Sequence, residues 1–348
     1  MRVFIAPLNW GLGHASRCVP LVRQYLANGD EVVLGGDGDS DSLLLLRHHF
    51  PNLRVLPLAP LRLTYSSGNS QVGAMLRAIP RLIRFSIRDH RLLRRYLVQE
   101  HFDLVISDNR FGLFSNRTKC VYITHQLRIL LPRPWQWLQP LAHRLHARIY
   151  HRFAEVWVPD FADNGLSGIL SHHLPADPHI RYIGPLSRFS SSPVPSYIYK
   201  ENAAPQSAQK NLSDNMDDTY NIYKDYDVVA VLSGLEPQRT LLENAIIRRY
   251  ASVSDKVLVV QGKIAPSATS VPPSPLSHPI SSNITLVPSL DDPALAAALS
   301  SAKHIIARSG YSTIMDFHAL GVLSRAELIP TLGQPEQEYL FAYLSRFH

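Results

Sequence analysis

The chain is poor in cysteine, in charge and in long apolar runs. Only Cys18 and Cys120 occur among its 348 residues. That is too few for a disulfide framework or a metal knuckle, and the usage fits a reducing cytoplasm. Nowhere do 18 apolar residues run together, which excludes a membrane-spanning helix. The opening Met1-Arg2-Val3-Phe4-Ile5-Ala6-Pro7 breaks at proline too early to hold the apolar core of a secretion signal, and it reads as a first strand. With 17 glycines and 26 prolines, the chain falls short of a collagen-like or low-complexity composition. No internal repeat of solenoid period is present. What remains is a chain 45% hydrophobic and 18% charged, ample for buried cores and long enough for two domains.

The charge is uneven. Net charge is +7, and 16 histidines add positive charge on acidification. Arg77, Arg81, Arg84, Arg88, Arg91 and Arg95 recur in steps of four and three, with Arg94 alongside, which keeps them on one helical face. Leu82, Ile83, Phe85, Ile87 and Leu93 supply apolar surface between them. A second basic cluster, Arg128, Arg133, Arg144, Arg148 and Arg152, interleaves with Trp135, Trp137, Leu138 and Leu141. Such faces are solvated helix surface, an anionic lipid contact or, least favoured, a nucleic-acid contact.

Strand-like runs at residues 3–6, 31–34, 53–58, 104–107, 121–124, 155–158 and 181–183 alternate with helical stretches at 15–27, 43–49, 72–99 and 135–153. This alternation predicts a parallel sheet covered on both faces. Residues 190–226 lose all period and are rich in Ser, Pro, Asn, Asp and Lys, as a linker or surface insertion would be. Alternation then resumes. Strands are expected at 228–232, 256–260, 284–287, 304–307 and 327–329, helices at 238–250, 293–301, 312–320 and from 336, and a Pro- and Ser-rich loop at 265–282. The expected fold is α/β, with two Rossmann-like parallel-sheet domains, residues 1–188 and 227–348, joined by a polar segment at 189–226 and facing a cleft. Ligands in such sheets bind beyond the carboxyl ends of the strands.

The loops that follow strands therefore carry the chemistry. The first is Asn9-Trp10-Gly11-Leu12-Gly13-His14-Ala15. Gly11 and Gly13 allow a tight turn, and the helix they open presents free N–H groups to an anion. The loop lacks the third glycine of a dinucleotide fingerprint. Gly35-Gly36-Asp37-Gly38 stands where the ribose-binding acid belongs, so a nicotinamide cofactor is disfavoured. His14 at the helix start is a candidate general base for a hydroxyl nucleophile. The run Asp37-Gly38-Asp39-Ser40-Asp41 precedes a helical stretch, and helix capping explains it better than a metal; no metal is expected.

Ser107-Asp108-Asn109-Arg110 and Thr124-His125-Gln126 end consecutive strands where an acceptor would lie. Turn chemistry alone accounts for Asp108-Asn109, whereas nothing about the fold requires His125. In the second half, Ser233-Gly234 and Arg308-Ser309-Gly310-Tyr311-Ser312-Thr313 each end a strand and open a helix, a pattern suited to a diphosphate. Asp316 lies one turn further, within reach of ribose hydroxyls. Gln334-Pro335-Glu336-Gln337-Glu338-Tyr339 gathers amides and carboxylates of the kind that grip sugar hydroxyls.

In their order along the chain these elements resemble the GT-B glycosyltransferases, most closely glycosyltransferase family 28, which includes the enzyme that adds N-acetylglucosamine to the lipid-linked peptidoglycan precursor. The resemblance rests on Gly11-Leu12-Gly13-His14, Ser233-Gly234, the 308–316 segment and the 334–339 segment. It implies a UDP-sugar donor held by the C-terminal domain and a carbohydrate or lipid-linked acceptor held by the N-terminal one. It implies no metal and no cofactor beyond the nucleotide-sugar substrate. By the same resemblance, Ser233, Gly234, Arg308, Ser309, Gly310, Ser312 and Thr313 contact the diphosphate and uridine. Asp316 takes the ribose, Gln334, Gln337 and Glu338 the donor sugar, and His14 acts near the acceptor; from their places at strand and helix ends, His14, His125 and Asp108 are the candidate catalytic residues. The family's peripheral attachment to the inner face of the plasma membrane gives Arg77, Arg81, Arg84, Arg88 and Arg91 a purpose.

Two departures are informative. Leu235-Glu236-Pro237 stands in the phosphate loop, where Glu236 repels a diphosphate unless turned away. The chain also stops where a further strand and a helix crossing back to the first domain are expected. The expected activity is transfer of a hexose or N-acetylhexosamine from a UDP-sugar to a hydroxyl acceptor. A nucleotide-sugar epimerase, or a nucleotide-sugar or lipid-binding module without turnover, stands as the alternative.

Overall fold

The computed structural model describes residues 1–38, 40–61, 72–190, 218–234, 236–263 and 278–346. The first sheet is wholly parallel. It contains β1 (Arg2–Pro7), β2 (Glu31–Gly36), β3 (Val55–Pro57), β4 (Leu104–Asp108), β5 (Lys119–Ile123), β6 (Glu155–Val158) and β7 (Ile180–Tyr182), in the order β3-β2-β1-β4-β5-β6-β7. Helices α1 (Gly13–Ala27), α2 (Asp41–His49), α3 (Val72–Gln99) and α4 (Gln139–Tyr150) connect and cover it. In β1, Val3, Phe4, Ile5 and Ala6 are all fully buried, as a parallel strand covered on both sides requires. Val3 and Ile5 join one core with Val19 and Val22, while Phe4 and Ala6 join the opposite core with Phe102 and Val105.

The second sheet contains β8 (Val228–Val231), β9 (Val257–Val260), β10 (His278–Ser281), β11 (Ile284–Val287), β12 (His304–Arg308) and β13 (Ala326–Ile329), in the order β10-β11-β9-β8-β12-β13. It is flanked by α5 (Gln238–Tyr250), α6 (Asp292–Ser301), α7 (Tyr311–Ala319) and α8 (Pro335–Leu344). Both strand orders reverse beside a central strand, between β1 and β4 and between β8 and β12. Those are the places where α/β sheets open a crevice.

Three local expectations change. The loop expected at 265–282 ends in β10, antiparallel to β11 with a register shift at Pro279; an edge strand tolerates a proline there. Residues 264–277 of that loop are outside the described residues, as are 191–217 of the expected linker. The ends of the linker belong to the second domain's core, where Phe189, Tyr223 and Tyr226 pack. The single helix expected at 135–153 is a 3-10 turn, Arg133–Leu138, followed by α4, because Pro134 and Pro140 occupy first-turn positions where a missing N–H costs nothing. The acidic run before α2 behaves as expected at Ser40, whose hydroxyl accepts from the Leu43 amide; Asp39 is outside the described residues.

The two halves are interlocked. The last helix, α8, reaches back to the first half, where the Tyr339 hydroxyl accepts from the Ile169 amide at 2.8 Å and the Tyr343 hydroxyl donates to the Gly165 carbonyl at 3.0 Å. Leu166 and Leu170 share a core with Leu340 and Leu344.

Candidate active site between the sheets

A cleft of about 490 Å³ lies where the carboxyl ends of both sheets face each other, a size suited to a small-molecule site. It is lined from the first half by the loop after β1 and by residues following β4 and β5, and from the second by residues following β8, β9, β12 and β13. Four helices present their first turns to it: α1 through Gly13 and His14, α5 through Gln238, α7 through Gly310–Thr313 and α8 through Pro335 and Glu336. The starts of α1, α7 and α8 carry no side-chain cap, whereas Ser40 caps α2, Asp291 caps α6, and at α5 the Glu236 carboxylate accepts from the Thr240 amide at 3.2 Å. The uncapped N–H groups at the starts of α1, α7 and α8 make the cleft a place for an anion.

At the floor of the cleft lies a chain of polar contacts that crosses from one sheet to the other. His14 and Arg17, one turn apart on α1, both reach Asp108 at the end of β4. His14 Nδ1 is 2.9 Å from Asp108 Oδ1, and Arg17 Nε donates to Asp108 Oδ2 at 2.6 Å, with Nη2 on Oδ1. Arg17 Nη1 stands 3.1 Å from His125 Nδ1, and His125 Nε2 stands 2.8 Å from Glu336 Oε1 on α8. The His125 ring stacks on Tyr311 with centroids 4.3 Å apart, and the Tyr311 hydroxyl donates to the Pro159 carbonyl. Burial on its own raises the Asp108 carboxyl, but the charge of Arg17 and the hydrogen bonds from Arg17 and His14 outweigh it and hold the group at about 2. Burial lowers the His14 imidazole; Asp108 opposes this, while Arg17 and His125 add to it. Burial also opposes ionisation of Glu336, yet contact with His125 keeps it below the usual carboxylate range. His14 is thus held neutral against a permanently ionised carboxylate, the arrangement a general base needs.

The residues assigned to the donor are gathered around the second half of the cleft, and they divide into lining and supporting groups. Ser233, Gly234, Gly310, Ser312, Thr313, Asp316, Gln334 and Gln337 line it, as do Gly11, Gly13, His14 and His125. Arg308 stands behind the wall: its Nη1 donates to the Pro330 carbonyl and its Nη2 to the Gln238 carbonyl, tying the loop after β13 to the start of α5. The Ser309 hydroxyl donates to the Gln337 carbonyl. The Gln337 side chain accepts from the Thr331 amide, and Glu338 accepts from the Gly333 amide, so both shape the loop before α8. Asp316 accepts from the Ser187 hydroxyl at 2.6 Å and lies 3.4 Å from Arg188 Nε. Glu236 is outside the cleft lining; its carboxylate pairs with Arg239 and accepts from the Thr240 amide and hydroxyl, so it occupies the first turn of α5. Leu235 is outside the described residues.

Sequence reading missed Arg17, Tyr311 and Glu336 as parts of this network. A signal existed for Arg17, which follows His14 by three and so shares its helix face. Glu336 comes from the other end of the chain, and only the meeting of the two sheets places it against His125.

On α3, Arg81, Arg84, Arg88 and Arg91 are all exposed; the Arg77 side chain is outside what is described. Ile79, Ile83 and Ile87 form an exposed row beside them, at 47%, 55% and 46% exposure. Leu82 and Phe85 on the same helix line the cleft. The helix is anchored by the buried ion pair of Asp89 with Arg110, whose guanidinium covers the Phe85 ring at 4.7 Å. Trp137, Leu141 and Leu145 make a second exposed apolar row, beside Arg144 and Arg148. No described helix is long and apolar enough to cross a membrane, and the described residues hold no metal-ligand cluster.

No family model and no curated protein matches the sequence. The fold, by contrast, is similar to solved glycosyltransferases over 99% of the chain. The glycosyltransferase SnogD from Streptomyces nogalater matches at TM-score 0.55 and 16% identity, with 86% of that chain covered. The calicheamicin glycosyltransferase CalG4 matches at 0.57 and 13%, with 83% covered. The spinosyn rhamnosyltransferase SpnG, in complex with thymidine diphosphate, matches at 0.56 and 14%, with 85% covered. The chain has the GT-B fold, two parallel-sheet α/β domains across a cleft.

Proposed function

We propose that the protein is a GT-B glycosyltransferase that moves a hexose or N-acetylhexosamine from a UDP-sugar to a hydroxyl acceptor. The observation that carries this reading is the meeting, in one cleft, of the His14–Asp108 pair with the uncapped N-termini of α1, α7 and α8. With Nδ1 donating to Asp108, His14 offers Nε2 to the acceptor hydroxyl and takes its proton. The acceptor oxygen attacks the anomeric carbon, and the bond from that carbon to the diphosphate oxygen breaks. The departing diphosphate is received by the N-termini of α7 and α8, and the imidazolium is stabilised by Asp108. In this reading the helix ends supply the positive potential that a metal supplies elsewhere. Residues 1–188 hold the acceptor and residues 227–348 the donor.

The acceptor side of the cleft is apolar, with Trp10, Leu82, Phe85, Phe111, Ile129 and Leu130. This supports a lipid-linked acceptor in the manner of family 28. The arginine rows and the exposed apolar rows of α3 and α4 support peripheral attachment to an anionic membrane face. The complex of SpnG with thymidine diphosphate supports a nucleoside diphosphate as the leaving group.

Thermal shift against UDP, TDP, GDP and CDP, with and without magnesium, tests the reading. A ligand at 100 times its Kd stabilises by roughly 2.7 kcal/mol, so a shift with UDP, unchanged by magnesium, is expected. A shift only with another nucleotide reassigns the donor, and no shift with any of them overturns the donor site.

A further inference from the structure

We propose that Arg17 is a positioning residue that fixes which ring nitrogen of His125 carries its proton and holds the Asp108 carboxylate that orients His14. Only its consequence for turnover rests on the transfer reading above; the arrangement itself does not. Arg17 is 1% exposed and belongs to none of the groups assigned to donor or acceptor. Its Nε and Nη2 occupy both oxygens of Asp108, so the carboxylate cannot rotate. A guanidinium has donors only. His125 Nδ1, 3.1 Å from Arg17 Nη1, must therefore accept, which leaves the His125 proton on Nε2, facing Glu336 Oε1 at 2.8 Å.

The reverse holds at His14. Its Nδ1 is 2.8 Å from Arg17 Nη2 and 2.9 Å from Asp108 Oδ1. One N–H of Nη2 goes to Oδ1 and the other competes for Nδ1. A proton on Nδ1 is favoured by the Asp108 carboxylate, which Arg17 holds in place through both oxygens, and it leaves a lone pair on Nε2. Arg17 thus acts on His125 directly and on His14 through Asp108. The groups facing these rings are Arg17 of α1, Asp108 of β4, Tyr311 of α7, Glu336 of α8 and each other. A lysine would keep the charge but has one nitrogen for three partners.

Long-range proton–nitrogen correlation on the full chain, labelled at histidine nitrogen, reads the tautomers directly; His14→Gln and His125→Gln assign the signals. The wild type is expected to show His14 protonated at Nδ1 and His125 at Nε2. Arg17→Lys and Arg17→Met are expected to leave His125 as a tautomer mixture. Both should lower kcat roughly ten- to hundredfold, as misplacement of a reacting group does, with the donor KM changed less than about twofold. The opposite tautomer at either ring in the wild type overturns the proposal, as do unchanged tautomers in a folded Arg17 variant. If neither variant folds, the wild-type spectrum decides. A wild type with the expected tautomers but no transfer to any acceptor would refute the transferase reading and leave the role of Arg17 standing.

Discussion

The hydroxyl of Ser312 donates to the carbonyl of Gly13 at 3.0 Å, joining the first turns of two helices that belong to different sheets. A Cβ on Gly13 would stand 2.7 Å from Ser312 Oγ and 3.0 Å from its Cβ. Gly13 is therefore required less by its own backbone than by its neighbour. Its absent side chain lets α1 and α7 approach until their N–H groups act on one volume.

Gly13→Ala tests this relation, and two effects oppose each other. Alanine improves helix propensity by about 1 kcal/mol, while overpacking a close contact costs roughly 1–3 kcal/mol. A small fall in Tm is expected, with a much larger fall in nucleotide affinity, of about tenfold, because the helix ends are pushed apart. Gly13→Ala combined with Ser312→Gly removes the clash and should restore affinity by calorimetry. Wild-type affinity in Gly13→Ala alone would separate the α1–α7 contact from binding.

His14→Gln and Asp108→Asn should fold and bind nucleotide, and each should lose turnover by roughly 10²–10⁴-fold, the usual worth of a general base. The base works unprotonated, so its activity is lost as pH falls through its pKa. Burial, reinforced by Arg17 and His125, lowers that value from 6.5. The acid limb of kcat should therefore lie below pH 6.5 in the wild type. A limb above 6.5 would remove His14 from the role.

Stability in acid should be set largely by buried histidines. Burial depresses His146 and His49 from 6.5 to about 4 each. A histidine buried neutral contributes its full stability above the unfolded value of 6.5 and loses it as pH falls toward 4. For His146 the loss approaches about 3 kcal/mol at pH 4, and less for His49, whose side chain keeps 12% exposure. His146 lies among Phe111, Tyr122 and Tyr150, so His146→Phe should fit. It gives up the bond to the Leu127 carbonyl, at a cost of about 1 kcal/mol near neutrality. Urea unfolding at pH 7.5, 5.5 and 4.5 should show a weaker decline in the variant; an unchanged slope would mean that His146 is not the titrating group.

The fold was legible because parallel strands buried on both faces write themselves as short apolar runs, as residues 3–6 and 257–260 do. Strand β10 escaped notice because an edge strand with a proline carries no such run. The loops of the site were legible for the same positional reason, since they follow strands. The division of labour within them was not. Arg308 stood out as a cation beside a glycine turn, and the sequence did not show that its two terminal nitrogens lie on the Pro330 and Gln238 carbonyls. Arg17 drew no reading from the sequence, yet it is buried and bridges Asp108 and His125 in the cleft. Spacing along a helix gives the face a side chain occupies but not whether that face meets solvent or a second sheet.

Two exposed rows, Ile79–Ile83–Ile87 on α3 and Trp137–Leu141–Leu145 at α4, are the surface on which membrane attachment can be tested. Each stands beside arginines, and a basic residue near an anionic leaflet contributes about 1 kcal/mol, weakened by salt. Ile83→Ser with Trp137→Ser removes apolar area and no charge; Arg84→Gln with Arg88→Gln removes charge and little area. Sedimentation with phosphatidylserine vesicles should show the first pair weakening binding about tenfold at every salt concentration. The second pair should matter only at low salt, where the arginines are unscreened. Equal loss in both at low salt and none at high salt would mean that the surface is merely basic. The isoleucines and Trp137 would then be left without a role in attachment.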